Sequence, residues 1–454
     1  MTAPRSIVGR VRRTARGVLR GRPWDSRANP RLAFCGPMPP TPTGVATYDA
    51  AVLEGLRANG FMQRHRVDVI WPVRPEHEAT IPWYRLGIYQ LGNNVEFHRD
   101  IYRFACTAPG LIVLHDLALD DFVKGLRSAS DPLGYAAERE AARLTGRITD
   151  RDVLRNEPLR LPLCAHVVRR SRGVIVHSAF GRDYLASIGS RTPVFVIPHP
   201  VVEAEAALEA ALAGRDALRA AHGIGASDVL VVAPGDLNAA KQLRSVLSAV
   251  AVSDQRVKVA LVGRRIEGFD IDALMTEAGL GSRSMLATDV PPQGFLAWLA
   301  AADVTVDLRF PHRGEVSGSL QRAMQVGRPA IVSATGSYLD LPADAVLRVD
   351  AGAPDTSQLA ARIRELADDP ERRARMGEAA RVFVERQRGE TVSGYEDAIT
   401  STLSLVSDPV RKAEARWAAA LADLGVDQTN LSDGYGLAYA RALEGFREPG
   451  AGGA

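Results

Sequence analysis

Short apolar runs, each closed by glycine, proline or a polar residue, recur along the chain from residue 31 onward. Arg31-Leu-Ala-Phe34 is closed by Cys35-Gly36-Pro37, and apolar residues then return with helical spacing from Val45 to Asn59. Val67–Trp71, Leu111–Leu114, Val174–Val176 and Val194–Ile197 are further strand candidates, several of them separated by helical stretches. That alternation predicts an α/β unit built on a largely parallel sheet. A second series starts near residue 228. Val229–Ala233 precedes Pro234-Gly235 and a helix over Lys241–Val252, and Lys258–Val262 ends in Gly263. Val304–Leu308 runs into a glycine-containing turn and a helix, and Ala330–Ser333 is the next strand. The bridge 201–222 is rich in Ala and Glu and reads as helical. Two α/β domains of comparable size, meeting near His199–Glu205, are the simplest plan.

Composition supports this plan and excludes several others. The 454 residues are 46% hydrophobic and 24% charged, enough for two or three cores and too apolar for a disordered chain. Cys35, Cys106 and Cys164 are odd in number and far apart, which argues against a disulfide scaffold and a structural zinc site and points to a reducing compartment. No run of about 18 apolar residues predicts a membrane span, and arginines interrupt any secretory apolar region. The formal charge of +3 hides an asymmetry: residues 1–31 hold nine arginines against Asp25, so the head is +8 and the rest is −5. The head spaces Ile7, Val8, Val11, Ala15, Val18 and Leu19 almost helically. It reads either as an amphipathic contact with an anionic membrane or as a plain Arg-rich tail. The acidic body argues against nucleic acid as a partner.

Four segments carry candidate chemistry. The loop Gly36–Gly44 lies between the first strand and its helix, where Gly44 lets backbone approach a ligand and the helix N-terminus favours negative charge. It matches neither a dinucleotide fingerprint nor a Walker loop. His115-Asp116 follows the apolar run Gly110–Leu114, with Asp116 placed to orient the imidazole or cap a helix; His98 is a weaker companion. Lys241, one of four lysines beside fifty-two arginines, follows the loop from Pro234-Gly235 and suits a phosphate as a compact charge. The strongest signal is Asp307-Leu-Arg-Phe-Pro-His-Arg-Gly-Glu-Val-Ser-Gly-Ser319. Its small residues (Gly314, Ser317, Gly318 and Ser319) expose backbone N–H groups to phosphate, Arg309 and Arg313 can clamp it, and Glu315 suits a sugar hydroxyl.

In this order, Pro39-Pro-Thr-Pro-Thr-Gly44-Val-Ala-Thr-Tyr48, Leu91-Gly-Asn-Asn, Leu114-His115-Asp116, Val176-His177-Ser178, Ile197-Pro-His199 and the Leu308–Pro329 block resemble bacterial glycosyltransferase family 4, the group 1 retaining glycosyltransferases. The resemblance runs from about residue 31 to about residue 400. It implies the GT-B fold, an α/β architecture of two Rossmann-like domains facing a central cleft, with C-terminal helices. The implied division is a basic head at 1–30, an acceptor-side domain at 31–200 and a nucleotide-sugar donor domain at 201–382. A helix at 383–404 crosses back to the first domain, with Tyr395 as its anchor, and 405–454 form an extra helical tail, a predicted pair around Trp417 and Tyr435.

The implied activity is retaining transfer from a nucleotide-diphosphate sugar to a glycan, lipid-linked or small-molecule acceptor, with no cofactor and no metal. A GT-B epimerase or hydrolase and a non-catalytic glycan-assembly subunit are the alternatives. The implied location is cytoplasmic, peripheral at the inner face of the plasma membrane if the head engages it. By resemblance, His115 faces the transferred sugar and Glu315, the first acid of a paired-glutamate motif, contacts it. Gly44, Gly235, Lys241, Gly318 and Ser319 lie at the donor diphosphate, and Ser178 ends a loop lining the cleft. The donor phosphate itself assists the acceptor proton. Two positions depart from the pattern: Arg322-Ala323 replace the second acid, and Asp236, Leu237 and Asn238 stand where an arginine usually precedes the lysine. Arg309 or Arg313 is placed to restore that charge.

Overall fold

The computed structural model describes residues 31–81, 84–128, 132–145, 157–200, 203–352 and 355–406. The basic head and the helical pair around Trp417 and Tyr435 lie outside the described residues.

The first half is a six-stranded sheet formed by β1 (Arg31–Cys35), β2 (Arg66–Ile70), β3 (Leu86–Leu91), β4 (Leu111–Leu114), β5 (Gly173–Val176) and β6 (Val194–Val196). Its order is β2-β1-β3-β4-β5-β6, with every pairing parallel. Strands β3, β4 and β5 are buried along their whole length, as their near-continuous apolar runs require of a sheet covered by helices on both faces. The second half repeats the design with β7 (Val229–Pro234), β8 (Val257–Gly263), β9 (Ser284–Thr288), β10 (Val304–Asp307), β11 (Ala330–Ser333) and β12 (Val346–Val349). Its order is β12-β11-β10-β7-β8-β9, again all parallel. Both are doubly wound sheets whose order reverses beside the first strand, which opens a crevice at the carboxyl ends.

Most elements read from the sequence lie within one or two residues of their observed bounds. The first helix spans Gly44–Ala58, capped by Thr43, whose hydroxyl accepts the Val45 N–H. Residues Glu205–Ala213 and Arg215–Ala221 form the helical bridge. The helix read as beginning at Lys241 begins at Leu243, because Asn238 caps a single tighter turn over Ala239–Lys241. Strands β3, β9 and β12 were not singled out as strands by the periodicity.

A 37-residue helix, Pro370–Val406, ties the halves together. Ala380 and Val384 pack into the core around Leu320, Val332 and Tyr338 of the second half. Tyr395, Ala398, Ile399 and Leu403 enter the core of the first, against Leu32, Phe34 and Tyr48. The Tyr395 hydroxyl lies 2.6 Å from that of Tyr48, both side chains buried. Burying each large apolar side chain at this junction contributes roughly 1.5–3 kcal/mol. Among the described residues no helix is long and apolar enough to cross a membrane.

Candidate active site

The carboxyl ends of the two sheets face one another across a cleft. On the first half, three of the strands lead into histidines. His115 follows β4, His177 follows β5, and His199 follows Ile197-Pro198 after β6. The three imidazoles gather around Tyr48, with ring centroids 4.6, 5.0 and 5.1 Å from its ring. Each has a polar partner that sets its tautomer. His115 Nε2 lies 2.9 Å from Gln90 Oε1, His177 Nδ1 lies 2.9 Å from the Ile197 carbonyl, and His199 Nδ1 lies 3.1 Å from the Pro200 carbonyl. In each the other nitrogen is left as an acceptor. Burial and the neighbouring imidazoles keep His115 well below its usual value, and burial depresses His177 to about 4 and His199 to about 3. This wall is neutral at physiological pH. His98 is a core residue: it is buried, and its Nδ1 contacts the Gln90 carbonyl at 3.0 Å.

Asp116 neither orients His115 nor caps a helix. Its Oδ2 accepts the Asn93 N–H at 2.9 Å, and burial together with the charge of Glu315 raises its carboxyl to about 7. Ser178 stands at the cleft edge, where its hydroxyl accepts the Gly181 N–H and caps the helix Ala179–Ser187. Gly44 is the exposed first residue of its helix, with open space at its Cβ position.

The opposite wall is built at the crevice between β7 and β10, and it is charged. Asp307, fully buried at the end of β10, gathers four partners. Lys241 Nζ lies 2.7 Å away, the Ser317 hydroxyl donates at 2.5 Å, and the Ser319 and Tyr338 hydroxyls donate at 3.3 and 3.1 Å. Burial opposes the Asp307 charge, but Lys241 and Arg309 outweigh it and hold the carboxyl below its usual value. Lys241 is therefore not open to the cleft: its ammonium also donates to the Pro234 carbonyl and Ser319, and its side chain is 4% exposed. Gly235 turns beside it at φ +105°. Gly263, at the end of β8, passes so close to the Gly235 carbonyl that a Cβ there would stand 1.8 Å from the oxygen.

The loop after β10 reaches the other wall. Glu315 pairs with Arg309 at 3.1 Å and accepts the Arg313 N–H at 2.6 Å. Arg313 does not present its guanidinium to the crevice; it crosses to Asp120 at 2.6 Å and Asp121 at 2.9 Å. Its carbonyl accepts the Leu117 and Ala118 N–H groups. Gly314 follows at φ +82°, and a Cβ there would stand 2.4 Å from Leu117 Cδ1. Ser317 then caps the helix Gly318–Gln325, with His199 of the first half 3.6 Å from the Cβ position of Gly318. The first-turn N–H groups of that helix lie at the cleft, where they suit an anion. Arg322, where a second acid was expected, pairs at 2.8 Å with Glu203 from the linker. Arg264, after β8, forks onto Asp236 and donates to the Pro42 carbonyl of the opposite loop.

Sequence reasoning assigned no role to Asp307, His177 and His199, although each ends an apolar run as His115 does. It also passed over Gln90, Tyr48 and Arg264. Gln90 and Tyr48 act by packing against residues distant in sequence, and no local pattern marks them.

The architecture is the GT-B fold, two Rossmann-like domains with C-terminal helices. Residues 214–383 match the family model described as glycosyl transferases group 1. A search of curated proteins finds no significant match. Among solved structures the chain is similar to sucrose-phosphate synthase from Thermosynechococcus elongatus (TM-score 0.59, 17% identity, 84% of this chain and 100% of that one). It is also similar to Anabaena Alr3699/HepE in complex with UDP-glucose (TM-score 0.57, 16% identity, 83% and 100%). A glycosyltransferase from Rickettsia africae aligns with TM-score 0.54 at 9% identity over 83% and 99%.

Proposed function

We propose that this protein is a retaining glycosyltransferase of family 4, moving a sugar from a nucleoside-diphosphate sugar to a hydroxyl-bearing glycan, lipid-linked or small-molecule acceptor. The observation that carries the reading is the facing of two unlike walls. Glu315 and the N-terminus of the helix Gly318–Gln325 stand opposite a neutral histidine wall. A glycosyl donor has the same two halves: an anionic diphosphate and an uncharged polyol. The match to the group 1 model over the second half, and the UDP-glucose complex of a similar fold, agree with it.

In this reading residues 31–200 hold the acceptor side and 201–382 the donor side. Helix N–H groups and Arg309 stabilise the charge that grows on the leaving diphosphate, where stabilisation of the transition state accelerates transfer. Lys241 acts from beneath, fixing Asp307, Ser317 and Ser319. Glu315 accepts hydrogen bonds from the sugar, and His115 contacts it from the other wall. The clasp of Arg313 on Asp120 closes the cleft and limits hydrolysis of the donor. The cytoplasm supplies such donors, and the basic head gives the chain a route to the inner membrane face.

The test is product analysis with uridine, guanosine and deoxythymidine diphosphate sugars, with and without acceptor sugars. Acceptor-dependent transfer with the anomeric configuration kept supports the reading. Acceptor-independent release of sugar would identify a hydrolase, and absence of nucleotide binding by folded protein a non-catalytic subunit.

A further inference from the structure

We propose that Gln90 is a positioning residue for transfer: its amide oxygen holds His115 with the proton on Nε2, so that the lone pair of Nδ1 is presented to the donor sugar. The assignment rests on the glycosyltransferase reading above and leaves the acceptor's proton to the donor phosphate. Gln90 lies in β3, a strand buried along its whole length, and is itself fully buried. A glutamine in such a strand costs stability unless its amide is hydrogen-bonded. Its Oε1 meets His115 Nε2 at 2.9 Å, and its backbone carbonyl meets His98 Nδ1 at 3.0 Å. A glutamine amide has an oxygen at one end and an NH₂ group at the other. The end that faces the ring therefore decides which ring nitrogen carries the proton.

Two buried groups select that end. The Tyr395 phenol, on the helix that joins the halves, is pushed up by burial and lies close enough for the Gln90 amide to oppose that push. The Asp49 carboxyl, on the helix Gly44–Ala58, shares with Gln90 Cγ the space where a side chain of Gly36 would stand. Both groups offer oxygens that accept an amide N–H. Asp49 is fully buried, and neither its two oxygens nor Gln90 Nε2 has a hydrogen-bond partner among the described residues. Neighbouring buried donors and acceptors complement one another. Nε2 of the amide is thus directed to Asp49 and Tyr395, and Oε1 is left for His115. The ring itself stands edge-on to Tyr48, with centroids 4.6 Å apart. Its Nδ1 has no hydrogen-bond partner among the described residues and is not sealed from solvent. As the donor's carbon–oxygen bond breaks, positive charge builds on the sugar ring. A lone pair aimed at the sugar favours that charge, and an N–H in its place opposes it. The benefit falls on the transition state, so it belongs in kcat.

The experiment compares the full chain with Gln90→Glu, Gln90→Met and Asp49→Leu, its histidines isotope-labelled on nitrogen, and uses His115→Asn to assign the His115 signals. It reads from the nitrogen chemical shifts which His115 nitrogen carries the proton. It also measures kcat and KM with the best donor, UDP binding by calorimetry, and thermal unfolding. In the parent the proton should sit on Nε2. Glutamate keeps an oxygen for that proton and should keep the tautomer and most of kcat. Methionine has a similar size and no such oxygen, so the proton should move in part to Nδ1. Its kcat should fall about 10-fold, the scale of one hydrogen bond, with KM and UDP affinity nearly unchanged. Asp49→Leu should shift the tautomer the same way, to a smaller extent, by releasing the amide. A glutamine that only packs would give the reverse order, because methionine suits a buried strand and a carboxyl disturbs it. A parent proton on Nδ1, or methionine at least as active as glutamate, overturns the assignment. A parent that transfers from none of the three nucleotide classes overturns the glycosyltransferase reading and the role in transfer. The nitrogen shifts need no turnover, so they still decide whether Gln90 sets the tautomer.

Discussion

The two walls of the cleft are made by the same device, polar residues at the carboxyl ends of buried parallel strands, yet they handle charge in opposite ways. The first-half wall buries His115, His177 and His199 without a counter-charge and leaves them neutral. The second-half wall buries Lys241 and Asp307 as an ion pair and sets the half-buried Arg309 against Glu315. A neutral wall accepts hydrogen bonds without drawing in a free phosphate. A paired wall holds polar groups rigid for an anion without presenting an unneutralised charge to an empty site. On the proposed reading, the difference assigns the two halves of a donor to different walls.

Breaking the pairing should give the largest effect. Lys241→Ala leaves Asp307 charged and buried without its cation, and losing one partner of a buried pair costs about 3–5 kcal/mol. The expected outcome is a large loss of stability in urea denaturation together with loss of transfer. Loss of transfer at unchanged stability would instead make Lys241 a direct phosphate ligand that swings out of the pair.

Glu315→Gln comes next. The amide cannot hold Arg309 as an ion and adds a donor where the proposed reading has sugar hydroxyls donate. Transfer should fall about 10²–10³-fold, comparable to deleting one preorganised transition-state contact. UDP binding should change little, since the helix N-terminus remains. Equal losses in transfer and UDP affinity would move Glu315 from the sugar to the phosphate.

Gly314→Ala tests whether the walls must meet. Its φ of +82° and the 2.4 Å approach to Leu117 are both incompatible with an ordinary Cβ. Transfer should drop about 10-fold through a looser closed state. Adding Leu117→Ala should relieve the steric part alone, because the backbone strain remains. Parent-like transfer in the single variant would show that the Arg313–Asp120 clasp is dispensable.

These contrasts also show what the sequence could carry. The strand–loop–helix rhythm is local, so β1, β4, β7 and β10 stand out as apolar runs ending in glycine or a polar residue. Strand β3 hides because Leu86-Gly-Ile-Tyr-Gln-Leu91 mixes a glycine and a glutamine into a wholly buried strand. The same rule puts His115, Glu315 and Lys241 in the loops after β4, β10 and β7. Side-chain partners were not legible in this way. Lys241 reads as a free cation until β10 brings Asp307 to it from 66 residues away. Arg313 reads as a phosphate clamp until the fold sets it on Asp120, 193 residues away. Long-range pairing decides the charge state, and periodicity contains no record of it.

The smallest expected effect sharpens the comparison by pH. His98 is 1% exposed, and burial lowers it to about 4 from the usual 6.5. Between those values the unfolded chain binds a proton that the folded chain refuses, so this group's contribution to stability is lost as pH falls. At pH 5.5 that loss is about 1 kcal/mol. Asp307 is silent in this window, because a depressed carboxyl loses its contribution only below the usual carboxylate range. Glu138, raised to about 7 by burial, and Asp116 act with the opposite sign, since the folded state gains their protons first. A single melting curve therefore mixes the two directions, and the informative quantity is a difference between variants. His98→Gln should lose about 1 kcal/mol less than the parent when urea denaturation is moved from pH 7.5 to 5.5. An identical loss in both would place the acid sensitivity at the other depressed imidazoles, His115, His177 and His199 at the cleft together with His65 and His166.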